Sequence, residues 1–281
     1  MNLIHEVFPP HVAKALLEGR KVEADRVDMA TLYFSDIVGF TNISSTITPE
    51  QVCDMLDRLY TKFDELAEKH DVFKIETIGD AYVCVCNLIK NQDADHARRI
   101  AEFAIDTLKA AAETPIVLDD PSMGTVQIRV GIHCGPLVAR VVGSKNPRYC
   151  VFGDTVNITS RMESNSLPMK IHCSEEAAEM LKWQAPELKL EWRGMIPIKG
   201  KGEMETFFIH HGLKFGVLRQ SKYGSGVQHK KEYYKLQRKV VSFDPPNRFD
   251  PSSVKCSIKQ TLSARQSAAI REDKMVPLYQ K

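Results

Sequence analysis

The sequence predicts an α+β fold with a ferredoxin-like βαββαβ core, in which an antiparallel sheet carries helices on one face and is extended by further strands and helices. Two observations predict this fold. Apolar runs rich in β-branched residues alternate with amphipathic helical patterns in the order β-α-β-β-α-β, and the chain has no internal repeats. The six core elements are predicted at residues 27–35, 48–66, 73–78, 81–86, 93–112 and 126–133.

The first half of the core begins its helix with a clear start signal. Thr48 is suited to cap a helix, and Pro49 fits the first helical position. The apolar residues that follow recur at helical spacing and predict one face packed on the sheet: Val52, Met55, Leu56, Leu59, Phe63 and Leu66. Two strands come next, and Gly79-Asp80 between them has the character of a hairpin turn.

The second half of the core is predicted from one more helix and strand. The helix at 93–112 turns its apolar face inward with Ile100, Phe103, Ala104 and Leu108. Gly135-Pro136 then predicts a turn, followed by a short separate strand at 138–142. The remaining elements are a strand at 149–152, a helix of about ten residues after Gly153-Asp154, a strand at 170–173, a helix capped by Ser174, and strands at 188–193 and 205–210.

Composition and charge exclude several classes of protein. The 281 residues carry a formal net charge of +2, which argues against bulk electrostatic binding of nucleic acid. No apolar run approaches the roughly 20 residues that span a bilayer, and the N-terminus lacks the features of a signal peptide. Seven Cys without a CxxC pair indicate reduced thiols. We therefore expect a cytoplasmic domain, or one on the cytoplasmic side of a membrane if it belongs to a longer receptor.

The composition divides the chain into three segments. Residues 1–22 are predicted to be a connector to a missing upstream region, and residues 23–212 to form the folded domain. Residues 213–281 are basic, contain Pro and Ser, and have little hydrophobic periodicity, which predicts a largely disordered tail. Such a tail is usually only solvated, and a membrane-surface or regulatory role is the alternative.

Two acidic residues lie where predicted strands end. Asp36 follows the first strand, and Asp80 lies at the tip of the predicted hairpin. Carboxylates at adjacent strand ends can hold a hard cation such as Mg²⁺ over a nucleotide phosphate. Each residue alone also has a structural interpretation, since Asp36 could cap a helix and Asp80 could serve only the turn. The presence of both acids favours a cation site.

These acids belong to a series of segments that resembles the class III nucleotidyl cyclases, most closely the catalytic domain of receptor-type guanylyl cyclases. The segments occur in the order of that family over roughly residues 9–210, and together they are highly specific. They are 32–41 (LYFSDIVGFT), 74–82 (KIETIGDAY), 129–133 (RVGIH), 147–157 (PRYCVFGDTVN), 160–164 (SRMES) and 199–202 (KGKG). The basic tail lies outside the resemblance.

The resemblance implies the class III cyclase catalytic fold and its reaction. A nucleoside triphosphate becomes its 3′,5′-cyclic monophosphate and pyrophosphate when the 3′-hydroxyl attacks the α-phosphorus in line. Two divalent cations, Mg²⁺ or Mn²⁺, would activate that hydroxyl and neutralise the triphosphate. Asp36 and Asp80 match the metal ligands, and Ile37 would give a backbone carbonyl to one of the ions.

The resemblance also assigns residues to the sugar and the phosphates. Asn157 matches the residue that orients the ribose, and Arg161 matches the one that faces charge developing at the α-phosphate. Lys199 matches the lysine on the terminal phosphates, and Arg129 matches a second phosphate-binding position. Without the family, Asn157 and Arg161 would be interpreted as a solvated helix face and Arg129 as a surface strand residue. Glu163, which follows on the same helix, is assigned a structural role.

Two further positions favour guanine as the base. Glu76 can accept hydrogen bonds from both N1–H and the exocyclic amine of guanine, and Cys150 matches the cysteine that guanylyl cyclases place near O6. Adenine-specific relatives have Lys and Asp at these two positions, which would be wrong for guanine. The structural alternatives are an exposed strand acid for Glu76 and a small buried filler for Cys150. Arg148 is a further candidate near the base.

The resemblance finally implies a head-to-tail homodimer. In the family, the metal acids of one protomer face the base pocket and the Asn and Arg of the other, and this chain carries both halves. The predicted function is therefore a guanylyl cyclase that uses GTP at two equivalent shared sites. The alternatives are an adenylyl cyclase and a non-catalytic cyclase-like dimerisation module. An upstream membrane receptor or sensor region is the expected partner within a longer parent protein.

Overall fold

The computed structural model of the chain describes residues 4–143 and 145–212, so the predicted tail at 213–281 lies outside the described residues. The strands are β1 Asp25–Ile37, β2 Phe73–Ile78, β3 Ala81–Cys86, β4 Ile128–Val142, β5 Arg148–Phe152, β6 Ile171–Ser174, β7 Leu190–Ile198 and β8 Gly202–Ile209. The α-helices are α1 Ile4–Val7, α2 Pro10–Leu17, α3 Phe40–Thr46, α4 Pro49–Lys69, α5 His96–Ala112, α6 Asp154–Ser164 and α7 Glu175–Gln184.

An eight-stranded sheet organises the described residues. Its order is β2-β3-β1-β4-β6-β8-β7, and β5 pairs with β4 outside this path. Neighbouring strands are antiparallel except β4 and β6, which run parallel. The succession β1-α4-β2-β3-α5-β4 is the predicted βαββαβ core, so the predicted α+β class is confirmed.

Helix α4 begins and packs as its sequence predicts. The Thr48 hydroxyl accepts a hydrogen bond from the Gln51 backbone N–H, and the Gln51 side chain accepts one from the Thr48 N–H, which closes a capping box. Its buried side is formed by Met55, Leu59, Phe63 and Ala67. Each large apolar side chain buried in this way contributes roughly 1.5–3 kcal/mol. Neither α4 nor any other described helix is long and apolar enough to cross a membrane.

Helices pack on both faces of the sheet. Helices α4, α5 and α7 share the larger core with Tyr33 and Ile132 of the strands. Helix α6 lies on the opposite face against Gly131 of β4, and α2 packs on that face with Leu32 of β1. The prediction of helices on one face therefore holds for the core helices α4 and α5 and is wrong for α2 and α6. An apolar helix face indicates burial, but it does not indicate which face of a sheet receives it.

The turn predicted at Gly135-Pro136 is wrong, because β4 runs through these residues without a break. Gly135 pairs with Ala30 of β1 and Leu137 pairs with Val27, so two residues of β1 bulge out opposite the single residue Pro136. A proline has no N–H to donate to a strand ladder, and such prolines are tolerated at bulges. The bulge lets β4 continue past the proline, and β1 and β4 remain paired on both sides.

Helix α3 was not indicated by the sequence patterns. Gly39 precedes it with a φ of 71°, in the left-handed region that glycine adopts without strain. The chain therefore turns immediately after the end of β1. This places α3 next to the strand end that carries Asp36.

Candidate functional site

Asp36 lies near the end of β1, and Asp80 lies in the turn between β2 and β3. Asp36 pairs with Ala81 across the ladder, so the preceding residue, Asp80, comes beside Ile37. Gly79 has a φ of 64°, which permits this tight turn. The Asp36 carboxyl and the Ile37 backbone both influence the pKa of Asp80, as expected for groups that adjoin its carboxyl. The hairpin turn is therefore the device that brings the two predicted metal ligands together.

The donor chemistry of this pair fits a hard divalent cation. Burial, followed by the adjoining Asp36 carboxyl, raises the pKa of Asp80 to about 6. Among the described residues, no group of three or more His, Cys, Asp or Glu side chains is placed to hold a metal by itself. Mg²⁺ is commonly bound by one or two carboxylates, with waters and substrate phosphates completing its shell. The two carboxylates therefore fit a cation that is held together with a nucleotide.

Arg129 lies opposite Asp36 on β4 and links it to a third acid. Arg129 Nη2 donates to Asp36 Oδ2 at 2.8 Å, and Arg129 Nε donates to Glu163 Oε1 at 3.0 Å. Burial and the charge of Asp36 raise the pKa of Glu163 to about 7, against the opposing effect of Arg129. Arg129 Nη1 has no hydrogen bond to any other described residue. The predicted phosphate-binding residue thus keeps one nitrogen for a ligand while two acids hold the others.

Helix α6 presents different residues on its two sides. Asn157 and Arg161, four residues apart, share its exposed side. Met162 and Glu163 are buried against the rest of the chain. At 3.6 residues per turn, side chains two positions apart project about 200° apart around the helix axis. Within one chain, Arg161 therefore points away from the side of α6 that contacts Arg129.

Lys199 lies in the turn between β7 and β8, beside α6. The preceding Ile198 packs with Ile158 of that helix. Lys201 forms a salt bridge with Asp154 in the first turn of α6. Lys199 is exposed and forms no salt bridge within the described part of the chain. Its ammonium group is thus on the same side of the domain as α6 and is open to solvent.

The three residues predicted to surround the base lie together on β2 and β5. The rings of Phe73 and Tyr149 meet edge to face with centroids 6.2 Å apart, which brings the two strands together. Arg148 Nη1 lies 3.7 Å from Glu76 Oε2, in an exposed ion pair that contributes little to stability. Burial and the charge of Glu76 raise the pKa of the Cys150 thiol, against the effect of Arg148.

Two neighbours of the acids were missed as site residues. The first is Glu163, whose carboxyl accepts a hydrogen bond from Arg129 next to Asp36. In the sequence, only its position in the SRMES segment could have indicated this role. Tyr60 of α4 packs on Tyr82 with ring centroids 5.4 Å apart. Its buried hydroxyl has no hydrogen-bond partner among the described residues, and burial, with the charges of the two acids, raises its pKa. An apolar helix face gives no signal for such a hydroxyl.

Comparisons with known proteins agree with the motifs. Residues 22–211 match the family described as adenylate and guanylate cyclase catalytic domain. The chain is 46% identical over 208 residues to the receptor-type guanylate cyclase gcy-28 of Caenorhabditis elegans, which covers 74% of this chain and 16% of that protein. It is 47% identical over 212 residues to guanylate cyclase soluble subunit beta-2 of Rattus norvegicus, covering 75% of this chain and 30% of that protein. The chain therefore spans less than a third of the length of these two relatives.

A solved structure agrees with the fold. The guanylate cyclase domain of RhGC from Catenaria anguillulae, in complex with GTP, superposes with a TM-score of 0.60 at 34% sequence identity. The match covers 66% of this chain and 97% of that domain. The similarity thus extends over nearly the whole of a separately crystallised catalytic domain.

Proposed function

The chain belongs to the adenylate and guanylate cyclase catalytic domain family, and from this membership we propose that it converts GTP into 3′,5′-cyclic GMP and pyrophosphate. The membership confirms the family predicted from the sequence motifs. The observation that carries the proposal is the paired carboxyls of Asp36 and Asp80 at the ends of neighbouring strands. The grouping of Glu76 with Cys150 supports guanine as the base.

Asp36 and Asp80 would hold the divalent cations, Mg²⁺ or Mn²⁺, with the backbone carbonyl of Ile37 as a further ligand. Bound cations of this kind lower the pKa of an attacking hydroxyl and neutralise phosphate charge. Arg129 Nη1 can donate to a phosphate oxygen, because among the nitrogens of this guanidinium it alone has no hydrogen bond to an acid of the described residues. Lys199 adds a second positive charge for the terminal phosphates.

The exposed side of α6 supplies the groups that act on the sugar and the α-phosphate. Asn157 can hydrogen-bond the ribose, which fixes the 3′-hydroxyl relative to the phosphorus it attacks. Arg161 can place its planar fork against the charge that develops on the α-phosphate as the bond to pyrophosphate breaks. The i, i+4 spacing, which puts both side chains on one side of α6, supports their acting on the same substrate.

The base pocket follows from hydrogen-bond complementarity. The Glu76 carboxylate can accept from the N1–H and the exocyclic amine of guanine, and the Cys150 thiol can donate weakly to O6. Adenine would place its N1 acceptor against the Glu76 carboxylate. Arg148 already pairs with Glu76 and can remain at the edge of the pocket.

The orientation of α6 supports a site that is shared between two chains. Arg161 projects about 200° from Glu163, the residue that contacts Arg129 beside Asp36. Arg161 therefore points away from a nucleotide that is held by Asp36 and Asp80 of its own chain. In the proposed site, the Arg161 that acts on this nucleotide belongs to a second chain. A head-to-tail homodimer satisfies this condition twice and creates two equivalent sites.

A cyclisation assay of the full chain tests this function with GTP and ATP side by side, each in Mn²⁺ and in Mg²⁺. We expect cyclic GMP from GTP and far less product from ATP. Asp80→Asn, which keeps the shape and removes the charge, should abolish activity, whereas Asp119→Asn on an exposed loop should not. Cyclic AMP as the main product would favour the adenylyl alternative. A folded dimer without product from either nucleotide would favour the non-catalytic one.

A further inference from the structure

The cluster around Arg129 contains a contact that the proposed reaction does not use. Glu163 is 7% exposed and accepts a hydrogen bond from Arg129 Nε at 3.0 Å. Asp36 accepts from Nη2 of the same guanidinium at 2.8 Å. Nε and Nη2 lie on one edge of the group, the edge that commonly grips a single carboxylate with two parallel hydrogen bonds. Here two acids divide that edge between them.

Because the two acids share this edge, Arg129 donates to only one carboxylate oxygen of Asp36, and the other oxygen stays available to a cation. Without a negative charge at position 163, both donors of the edge would favour the Asp36 carboxylate, because a hydrogen bond to a charged acceptor is roughly twice as strong as one to a neutral acceptor. A bidentate pair of this kind occupies both carboxylate oxygens and is stronger than a single hydrogen bond. Asp36 would then bind a cation less well, and Arg129 Nη1 would turn together with the plane of the guanidinium.

The position of the Glu163 carboxyl is well defined because two strands contact the backbone of α6 at this point. Gly131 of β4 touches the backbone of α6 at Met162 and Glu163, where no side chain could be accommodated. His172 of β6 donates through Nδ1 to the Met162 carbonyl at 2.7 Å. The acceptor for Arg129 Nε thus extends from a segment locked against two strands.

We propose that Glu163 is a positioning residue, which holds Arg129 so that Asp36 keeps ligand capacity for a divalent cation and Nη1 stays available to a phosphate. The inference rests on the cation site of the proposed function. Glu163 itself contacts neither the cation nor the nucleotide in this role. Its effect on both passes through Arg129.

The test is a titration of the full chain with Mn²⁺ in the absence of nucleotide, followed by electron paramagnetic resonance. The variants are Glu163→Gln, Arg129→Gln and the double variant, with Glu179→Gln as a control that loses an exposed ion pair with Lys182. We expect Glu163→Gln to weaken Mn²⁺ binding about tenfold. Arg129→Gln should bind Mn²⁺ more tightly than the unaltered chain, because Asp36 is released and a positive charge is removed.

The double variant decides between positioning and simple charge. If Glu163 acts through Arg129, adding Glu163→Gln to Arg129→Gln changes the affinity less than about twofold. Equal weakening in both backgrounds would mean that Glu163 attracts the cation directly, and the proposal would be overturned. An unchanged affinity in Glu163→Gln would overturn it as well. If Glu163→Gln alone does not fold, the difference in Mn²⁺ affinity between Arg129→Gln and the double variant still shows whether Glu163 affects the cation without Arg129.

Steady-state kinetics separate this inference from the proposed function. In Glu163→Gln we expect the KM for GTP to rise about tenfold, while kcat changes less, because binding groups rather than reacting groups are displaced. A chain that shows the Mn²⁺ pattern but forms no cyclic GMP would refute the reaction and leave the role of Glu163 intact. A chain that forms cyclic GMP without the Mn²⁺ pattern would refute only the role of Glu163.

Discussion

A Cβ atom at Gly131 would lie 2.1 Å from the backbone nitrogen of Glu163, so β4 and α6 touch backbone to backbone. Gly131→Ala must therefore move the helix or the strand, since no side-chain rotation can relieve this contact. We expect the free energy of unfolding to fall by about 3 kcal/mol, at the upper end of the usual cost of overpacking. Urea denaturation followed by circular dichroism measures this change.

Gly135→Ala is the matched control on the same strand. There a Cβ would lie 2.6 Å from the Thr155 Oγ1 atom, which belongs to a side chain that can rotate at the cost of its hydrogen bond to Pro136. We expect a loss of about 1 kcal/mol, the typical contribution of one hydrogen bond. Equal losses in Gly131→Ala and Gly135→Ala would contradict the interpretation that backbone contact fixes α6.

Local signals in the sequence were sufficient where an element depends on its own residues. The capping box at Thr48 and the apolar face of α4 define that helix without reference to the rest of the chain. The continuity of β4 through Pro136 depends on a bulge in β1, more than 100 residues earlier, which a local pattern at Pro136 does not reveal. Likewise, a carboxyl on α6 and a guanidinium on β4 meet only in the folded chain, so Glu163 was predicted as structural.

The base preference should reverse when both pocket residues change. Glu76→Lys with Cys150→Asp supplies a donor for N1 of adenine and an acceptor for its amine, while it opposes the donors of guanine with a cation. We expect the ratio of kcat/KM for ATP to that for GTP to rise at least about a hundredfold, since polar pockets strongly reject unmatched partners. Initial rates of cyclic AMP and cyclic GMP formation measure this ratio.

Cys150→Ala is the control for this exchange. It removes the thiol without adding an acceptor, so activity with GTP should fall while activity with ATP stays low. A double variant that loses activity with GTP, keeps the fold and oligomeric state of the unaltered chain, and gains no activity with ATP would argue against the assignment of Glu76 and Cys150 to the base.

His172 should make the fold sensitive to mild acid. It is fully buried, with Nδ1 donating to the Met162 carbonyl and Nε2 accepting from Arg193 Nη1 at 3.2 Å. Burial, with the Arg193 charge, lowers the pKa of His172 to about 4. Between its unfolded pKa of about 6.5 and this value, only the unfolded chain binds the proton. The free energy of unfolding is therefore highest above about pH 6.5, where His172 is neutral in both states. It falls as the pH decreases toward 4, by roughly 3 kcal/mol in total.

His172→Gln isolates this contribution, because glutamine can replace the hydrogen bonds but does not titrate. Urea unfolding at pH 7 and pH 5 should show a loss of stability that is smaller in the variant by about 2 kcal/mol, the part of the total expected by pH 5. His210→Gln, on the exposed end of the sheet, is the control for loss of an imidazole from the surface. Parallel losses in His172→Gln and the unaltered chain would show that other groups carry the acid sensitivity.

Complementation between two inactive chains tests the shared site directly. Asp36→Ala removes a proposed metal ligand and Arg161→Ala removes the proposed α-phosphate group on the exposed side of α6, so each variant alone should be inactive. In the proposed dimer, Asp36 and Arg161 of one site come from different chains, so a mixed dimer would combine both defects in one site and leave the other site intact. At equal mixing half of the dimers are heterodimers, so activity should recover to about a quarter of the unaltered enzyme. Failure to recover, despite subunit exchange verified by tagged pull-down, would place Asp36 and Arg161 in the same site of one chain.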